Sequence, residues 1–292
     1  MRILITGAGG LLGGRLCRLL AGRHDVTGVI RVQAAPDGVK ARQADLCEEN
    51  SVGELLRNVQ PQAIIHCAAL ADPEICEREP RRAERENDTA TKRLARACRE
   101  AGVRLIAIST DLVFDGRAAF STENCAVNPI SEYGRSKRRA EEAALGEGPR
   151  DGTAIARVAL VIGPGHGAKR SASEGIAESL SRRERASLYR DEWRTPIDAA
   201  SVAEAMDALL RRPAATGIFH IAGAERVSRL ELGQRIALTL GLDASLIRPA
   251  ERAQHKGAPR AEDVSLDIGR AKRELGWTPR LLEEALGQGR LT

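Results

Sequence analysis

The sequence predicts an α/β fold with a doubly wound parallel sheet and a small C-terminal substrate lobe. Short apolar runs alternate with stretches of helical periodicity up to about residue 160, as strand–helix units do. A glycine-rich turn at residues 7–13 separates the first run from the first helical stretch. Beyond residue 160 the regular alternation gives way to shorter pieces, which predicts the lobe.

The composition excludes several classes of partner. The 292 residues carry a net charge of +5, and aromatic residues make up 2% of the chain. Nucleic-acid binding would require a concentrated basic stripe with exposed aromatic side chains, so no nucleic-acid partner is expected. Six scattered cysteines and five isolated histidines indicate reduced core thiols of a cytoplasmic protein and no metal site. No run is long enough to predict a membrane span, and no signal peptide is expected.

The first strand is predicted at residues 2–6, and helical spacing continues over residues 15–20. Between them the glycines follow a GxxGxxG pattern, which binds dinucleotides when it lies between a strand and a helix. Backbone N–H groups at such a helix N-terminus can hold a pyrophosphate, although a plain tight turn is the alternative. The predicted cofactor contacts here are Gly7, Gly10, Leu11, Leu12 and Gly13.

The second strand, predicted at residues 26–30, ends at Arg31. An acid at this point accepts from the ribose 2′-hydroxyl of NAD, whereas an arginine accommodates the 2′-phosphate of NADP. Arg31 therefore favours NADP(H), with NAD(H) possible, unless it is simply an exposed strand-end residue. Residues 44–46 are predicted to close a third strand. There Asp45 would contact the adenine amine beside Leu46, or cap the helix predicted at 48–58.

A buried fourth strand is predicted at residues 62–66, and the small residues Cys67, Ala68 and Ala69 after it allow a backbone to approach the cofactor. His66 is expected to be a core histidine. Residues 80–101 predict a long amphipathic helix. The fifth strand, residues 104–108, runs into Ser109 and Thr110, either of which could hydrogen-bond a reacting carbonyl at the sheet edge, although Ser-Thr-Asp is also a common turn sequence.

Two scarce residue types meet in the helix that Asn128-Pro129 is expected to open. Tyr133, one of two tyrosines in the chain, precedes Lys137 by four positions, which places both on one helical face. A neighbouring ammonium favours the phenolate, so the pair can bring the phenol pKa toward neutrality and let it exchange a proton with a carbonyl oxygen. The alternative is a surface helix with the tyrosine packed on the lysine stem.

These motifs resemble the extended short-chain dehydrogenase/reductases over almost the whole chain. The shared motifs are Gly7-x-x-Gly10-x-x-Gly13, Asp45-Leu46, Ala68-Ala69, Asn87, the block at 109–116 and Tyr133-x-x-x-Lys137. The block at 109–116, the Tyr-Gly-x-x-Lys run and residues 191–196 look most like the dTDP-4-dehydrorhamnose reductase branch. The resemblance implies NADPH-dependent reduction of a keto group on a nucleotide-linked sugar of the dTDP-4-keto-6-deoxy type.

By the same resemblance the catalytic residues are Thr110, Tyr133 and Lys137. Tyr133 would donate the proton, Thr110 would hydrogen-bond the carbonyl oxygen, and Lys137 would tune the phenol and bind the nicotinamide ribose. The substrate loop departs from the branch, because Glu192, Arg194 and Ile197 replace its usual Gln, Gly and Thr. The predicted substrate contacts are Asp111, Val113, Trp193 and Arg194.

Residues 1–159, with a returning segment at 198–221, are predicted to form the dinucleotide-binding Rossmann domain, and residues 160–197 and 222–292 the substrate lobe. The later elements are expected as strands at 153–161, 186–190 and 217–221 and as helices at 171–183, 199–210, 228–240 and 281–286. Four cationic side chains of the lobe could meet a diphosphate: Lys169, Arg170, Arg190 and Arg194.

Two other functions fit the same residues. The first is a sugar-nucleotide epimerase or dehydratase of the same superfamily, because dehydratases have an acid where Asp111 stands. The second is a non-catalytic NADP-binding regulatory subunit, since a relative of this branch serves methionine adenosyltransferase in that way. The family also implies a possible homodimer through the helices at 80–101 and 129–146.

Overall fold

The computed structural model describes residues 1–164 and 171–287. Its first part alternates strands and helices. The strands are β1 (Arg2–Thr6), β2 (Asp25–Ile30), β3 (Lys40–Gln43), β4 (Ala63–His66), β5 (Arg104–Thr110) and β6 (Thr153–Val158). The helices are α1 (Leu11–Ala21), α2 (Ser51–Val59), α3 (Pro73–Arg78), α4 (Pro80–Ala83), a π-helical turn (Glu84–Thr89), α5 (Ala90–Ala101) and α6 (Glu132–Glu147).

The second part contains shorter elements. Its strands are β7 (Val161–Ile162), β8 (Ala186–Tyr189), β9 (Trp193–Arg194), β10 (Ile197–Asp198), β11 (Gly217–Ile221), β12 (Val227–Ser228) and β13 (Ile247–Ala250). Its helices are α7 (Ala172–Ser181), α8 (Ala199–Arg211), α9 (Arg229–Leu240), α10 (Gly269–Leu275) and α11 (Leu282–Gly287). Short 3₁₀ turns follow β5 and flank β13.

Seven parallel strands form the central sheet in the order β11-β6-β5-β4-β1-β2-β3. Strand β1 pairs with β2 on one side and β4 on the other, so the order of winding reverses there. Ligands of open α/β sheets bind in the crevice at the carboxyl ends of the strands beside such a reversal. The predicted doubly wound fold is confirmed.

The core lies on both faces of this sheet. In β1, Ile3 and Ile5 belong to one cluster and Leu4 to the opposite one, as the period-two alternation of a strand requires. A separate apolar cluster, which includes Ile176 and Leu232, packs the elements after β6. The division of the chain at residues 160–197 and 222–292 stays a prediction.

The third strand ends earlier than predicted, at Gln43. The Ala44 N–H still bonds to the Ile30 carbonyl at 2.9 Å, but the chain then turns because the Asp45 carboxylate accepts from the Cys47 N–H at 2.9 Å. A side-chain bond to the nearby backbone competes with the strand ladder. The expectation that residues 44–46 form part of the strand was therefore wrong.

The helix predicted at residues 80–101 contains a wider, π-helical turn at Glu84–Thr89. Within that turn the fully buried Asn87 side chain accepts from the Leu70 N–H at 2.7 Å and donates to the Leu70 carbonyl and to Ser136 Oγ. These bonds tie the segment after β4 to α6. Such turns recur at functional sites, and this one faces the helix that carries Tyr133.

Helix α6 begins at Glu132, later than Asn128-Pro129 suggests. Ser131 is the N-cap, and its hydroxyl accepts from the Gly134 N–H at 3.2 Å. The strand predicted at 153–161 is also interrupted. It leaves the central sheet after Val158, and β7 pairs with β10 instead.

No helix within residues 1–164 and 171–287 is long and apolar enough to cross a membrane.

Truncation of a core leucine tests the packing of the central sheet. Leu105→Ala in β5 removes a side chain that is 0% exposed, so the free energy of unfolding should fall by about 2–5 kcal/mol. The same change at Leu238, which is 83% exposed, should cost under about 0.5 kcal/mol. Urea unfolding measures both, and equal losses would contradict this description of the core.

Candidate active site

The glycine turn after β1 leaves no room for side chains. Gly7 adopts a φ of +69°, and a Cβ on Gly13 would lie 2.3 Å from the Gly7 carbonyl oxygen. Gly10 caps α1 without a side-chain hydrogen bond, so the first N–H groups of that helix are left to an external acceptor. These features fit a bound pyrophosphate.

Thr6 holds the backbone that faces this turn. Its hydroxyl oxygen accepts from the N–H groups of Cys67 and Ala68, each at 3.1 Å, and lies 2.7 Å from His66 Nδ1. His66 Nε2 lies 3.0 Å from the Thr91 hydroxyl, so both ring nitrogens have partners. Burial, aided by the Lys137 charge, lowers the pKa of His66 to about 3. His66 is a neutral core histidine, as predicted.

The glycine turn lies between the carboxyl ends of β2 and β4, where open α/β sheets have a ligand-binding groove, and Arg31 lies on the β2 side of this groove. It follows β2, and its guanidinium donates to Glu86 Oε2 at 3.1 Å. The Leu46 side chain is buried. The Asp45 carboxylate accepts from the Cys47 N–H and so closes the turn after β3. The alternative of Asp45 as the N-cap of α2 was wrong, because Asn50 occupies that position.

Tyr133 and Lys137 lie one turn apart on α6. Lys137 is buried, and its Nζ donates to the Ile108 carbonyl at 2.7 Å, near the end of β5. The Tyr133 ring packs against a small apolar cluster that contains Leu70 and Cys76. Burial lowers the pKa of Lys137 to about 8, and the Glu141 carboxylate opposes that change.

The expectation that Lys137 brings the Tyr133 phenol toward neutrality was wrong for this structure. Burial raises the pKa of Tyr133, and the Asp111 charge raises it further, while a hydrogen bond from Thr110 acts in the opposite direction. The Lys137 ammonium is directed at a backbone carbonyl instead. Because the phenol keeps its proton at neutral pH, it is suited to donate one.

The structure separates the two hydroxyl candidates at the end of β5. Ser109 donates to Glu141 at 2.5 Å, inside a buried network in which Arg157 also binds Glu141 through two bonds of 2.9 and 2.8 Å. Thr110 donates to Asp111 Oδ1 at 3.1 Å, and the turn that follows it packs tightly against the start of α6, since a Cβ on Gly134 would lie 2.3 Å from the Leu112 carbonyl oxygen. Thr110 therefore shares the crevice with Tyr133, and Ser109 does not.

Arg194 joins the later elements to the end of β5. Its Nε and Nη2 donate to the two Asp111 carboxylate oxygens at 2.8 and 2.7 Å, and both side chains are almost fully buried. Burial raises the pKa of Asp111, and the Arg194 charge opposes that rise. Arg194 was predicted to contact substrate, but its charge is directed at Asp111.

Val113 does not meet the expectation of a substrate contact, because its side chain is fully buried in the core. Trp193 is half-buried, and the Arg226 guanidinium lies 3.9 Å from its ring centroid. Arg190 pairs with Glu251 near the surface. Lys169 and Arg170 lie outside the described residues.

The sequence did not predict that arginines outnumber carboxylates around Arg194. Arg260 donates to Glu192 Oε2 at 3.0 Å, and the Arg229 guanidinium lies close enough to interact with both. Nη1 of Arg229 and Nε of Arg260 are buried without hydrogen-bond partners. Three arginines here share the two carboxylates of Asp111 and Glu192, which suits an anionic ligand group.

The Glu141–Arg157 pair was also missed, although the sequence carries signals for it. Glu141 lies four residues after Lys137, on the same face of α6. Arg157 stands in β6, where every residue is buried. An arginine in a fully buried strand requires a charged partner.

Comparison with known proteins identifies relatives over nearly the full chain. A family model described as the RmlD substrate binding domain matches residues 1–289. A probable low-salt glycan biosynthesis reductase of Haloferax volcanii is 32% identical, over 98% of this chain and 96% of that protein. A dTDP-4-keto-6-deoxy-D-glucose reductase of Streptomyces niveus is 32% identical, over 95% and 92%.

Two further matches bear on the alternatives. Methionine adenosyltransferase 2 subunit beta of Bos taurus is 31% identical, over 92% of this chain and 81% of that protein. The crystal structure of a hypothetical dTDP-4-dehydrorhamnose reductase from Sulfolobus tokodaii superposes with a TM-score of 0.85. It is 31% identical, with 97% of this chain and 98% of that chain covered.

Replacement of Lys137 by Met should stabilise the protein at neutral pH. The fall in the lysine pKa from 10.5 to about 8 corresponds to about 3 kcal/mol of unfavourable burial of the ammonium. This cost is fully present below pH 8. It shrinks as the pH rises through 10.5, because above that pH the amine is neutral in both the folded and unfolded states.

Urea unfolding of wild-type protein and Lys137→Met across this pH range measures the difference. We expect the variant's advantage to shrink steadily as the pH rises. A difference in unfolding free energy that is independent of pH would show that Lys137 carries no buried charge.

Proposed function

We propose, because the chain belongs to the RmlD substrate binding domain family of the extended short-chain dehydrogenase/reductases, that it is an NADPH-dependent reductase of a nucleotide-linked keto sugar. The observation that carries the proposal is the packing of the first turn of α6, which holds Tyr133, against the turn that follows Thr110 at the carboxyl end of β5. A protonated phenol and a hydroxyl that converge on one crevice suit reduction of a carbonyl.

The residues of the groove fit a dinucleotide. The glycine turn and the N-terminus of α1 would hold the pyrophosphate, and the backbone at Cys67, which Thr6 fixes, would lie along the cofactor. Arg31 favours NADP(H) through the 2′-phosphate, and NAD(H) remains usable. When bound, the reduced nicotinamide supplies a hydride.

The protein's own side chains would then control the proton. Tyr133 donates its proton to the substrate carbonyl oxygen as that oxygen gains negative charge, and the Thr110 hydroxyl turns its hydrogen from Asp111 Oδ1 to the same oxygen. The Lys137 ammonium does not bring the phenol toward neutrality before the reaction, but its positive charge one helical turn away would favour the phenolate as it forms. As the family resemblance implies, Lys137 would also bind the nicotinamide ribose.

The proposed substrate is a nucleotide sugar of the dTDP-4-keto-6-deoxy type. The excess positive charge of Arg229 and Arg260 supports an anionic group such as a diphosphate beside the crevice. The relative from Streptomyces niveus, whose name gives this substrate type, supports the same choice.

A dehydratase or epimerase is less well supported. A dehydratase would use the acid at Asp111 for proton transfer, but both oxygens of Asp111 accept hydrogen bonds from Arg194. Net consumption of NADPH separates a reductase from either enzyme, because dehydratases and epimerases regenerate their cofactor.

Similarity to methionine adenosyltransferase 2 subunit beta favours a second candidate, a non-catalytic NADP-binding regulatory subunit. The presence of Thr110, Tyr133 and Lys137 speaks against it, because a binding subunit does not need a protonated phenol beside its cofactor. A stoichiometric enzyme partner recovered by affinity capture, with no turnover of any nucleotide sugar, would support this second function.

We further propose a cytoplasmic homodimer that uses the helical segment at residues 80–101 and the segment at residues 129–146, which contains α6. The location rests on unpaired cysteines, among them the buried Cys17 and Cys98. Light scattering that reports a monomer would remove the dimer.

Removal of one hydroxyl tests the proton donor. Tyr133→Phe should lower kcat on the order of 10²–10⁴-fold while NADPH binding changes by less than about twofold, because only the proton transfer is lost. Tyr189→Phe, which removes the hydroxyl of the other tyrosine, should keep most of the turnover. Full activity in Tyr133→Phe would contradict the role of Tyr133 as the proton donor.

Absorbance of NADPH tests the function as a whole. Purified protein is mixed with a panel of 4-keto nucleotide sugars, first with NADPH and then with NADH. We expect one sugar to oxidise NADPH faster than NADH. If NADPH binds but no sugar of the panel oxidises it, the reductase assignment is contradicted, and protein partners should be sought instead.

A further inference from the structure

One ion pair lies at the adenosine end of the proposed cofactor groove. Arg31 Nη2 donates to Glu86 Oε2 at 3.1 Å. Arg31 directly follows β2, and Glu86 belongs to the π-helical turn after β4, two strands that flank β1 and its glycine turn. The pair therefore borders the groove in which the cofactor would lie.

Glu86 is held from two sides. Its Oε1 accepts from Arg82 Nε at 2.9 Å, one turn earlier in the chain, and its Oε2 accepts from Arg31. Burial works against ionisation, but the hydrogen bonds from Arg82 and Arg31 lower the pKa of Glu86 below its usual range. Glu86 is therefore a carboxylate that Arg82 orients in addition to Arg31.

The two members of the pair differ in freedom. The Glu86 side chain is 9% exposed, whereas the Arg31 side chain is 43% exposed. The Arg31 backbone is fixed, because its carbonyl accepts from Gln43 Nε2 at 3.0 Å. The Arg31 guanidinium can thus turn toward a phosphate while the Glu86 carboxylate stays in place.

A 2′-phosphate must compete with Glu86 for Arg31. The carboxylate attracts the same guanidinium and repels the phosphate, whereas a 2′-hydroxyl could donate to it. We propose that Glu86 is a specificity-determining residue, which holds Arg31 and so narrows the preference for NADP(H) over NAD(H). This inference rests on the cofactor assigned in the proposed function.

Adenosine nucleotides that differ only in the 2′-phosphate test the inference without turnover. Adenosine 2′,5′-bisphosphate and 5′-AMP are titrated calorimetrically into the full chain, as wild type and as Glu86→Gln. We expect the variant to bind the bisphosphate about three to ten times more tightly, since a partly exposed ion pair no longer competes. Binding of 5′-AMP should change by less than about twofold.

Two further variants test whether Glu86 weakens bisphosphate binding through Arg31. Glu79→Gln removes another carboxylate that accepts from Arg82, at 3.0 Å, and should leave both dissociation constants within about twofold. Arg31→Gln should weaken binding of the bisphosphate, and Glu86→Gln in that background should give a smaller gain than in the wild type, because only the direct repulsion of the phosphate is then relieved. An equal gain with and without Arg31 would overturn the role of Glu86 in holding that arginine.

The inference is also overturned if Glu86→Gln leaves the ratio of the two dissociation constants unchanged, including the case in which both ligands bind more tightly by the same factor. If thermal melting shows that Glu86→Gln is unfolded, Glu86→Asp takes its place, because its shorter side chain withdraws the carboxylate from Arg31. A protein that passes these titrations but reduces no sugar would refute the proposed reductase alone.

Discussion

Burial of the Lys137 ammonium constrains the centre of this molecule. A charge in the interior is costly, and the Ile108 carbonyl that accepts from Lys137 and the Glu141 carboxylate one helical turn away offset only part of that cost. Glu141 in turn is balanced by Arg157, which comes from the next strand of the sheet. The alternating charges of Lys137, Glu141 and Arg157 thus fix α6 against β5 and β6, and with it the position of Tyr133.

The Asp111–Arg194 pair applies the same principle to the lobe side of the crevice. A buried arginine from β9 meets a buried carboxylate directly after β5, so the later elements are positioned by an interaction that also involves Thr110. The Asp111–Arg194 pair also makes Asp111 less suited to transfer a proton, because both of its carboxylate oxygens accept hydrogen bonds from Arg194. Tyr133 is left as the phenol that can supply a proton at that edge.

The features that the sequence predicted best are those set by local rules. The glycine turn follows from the crowding of Gly13 against Gly7, and the strands follow from apolar runs, so both are visible in a short window of residues. The phenol pKa was not predictable, because spacing shows that Tyr133 and Lys137 share a face but not how deeply both are buried. Val113 was misassigned because a motif does not show which of its residues point into the core. Asp111, the partner of Arg194, lies 83 residues away in the sequence, so no local pattern predicts the pair.

Transfer of deuterium from the cofactor tests the central claim most directly. NADPH deuterated at both nicotinamide C4 positions is incubated with the protein and a dTDP-4-keto-6-deoxy sugar, and the product is analysed by NMR. Net reduction predicts deuterium bonded to the former keto carbon, with one NADPH consumed for each sugar. A product that carries no deuterium, or that forms without loss of NADPH, would contradict the assignment as a reductase.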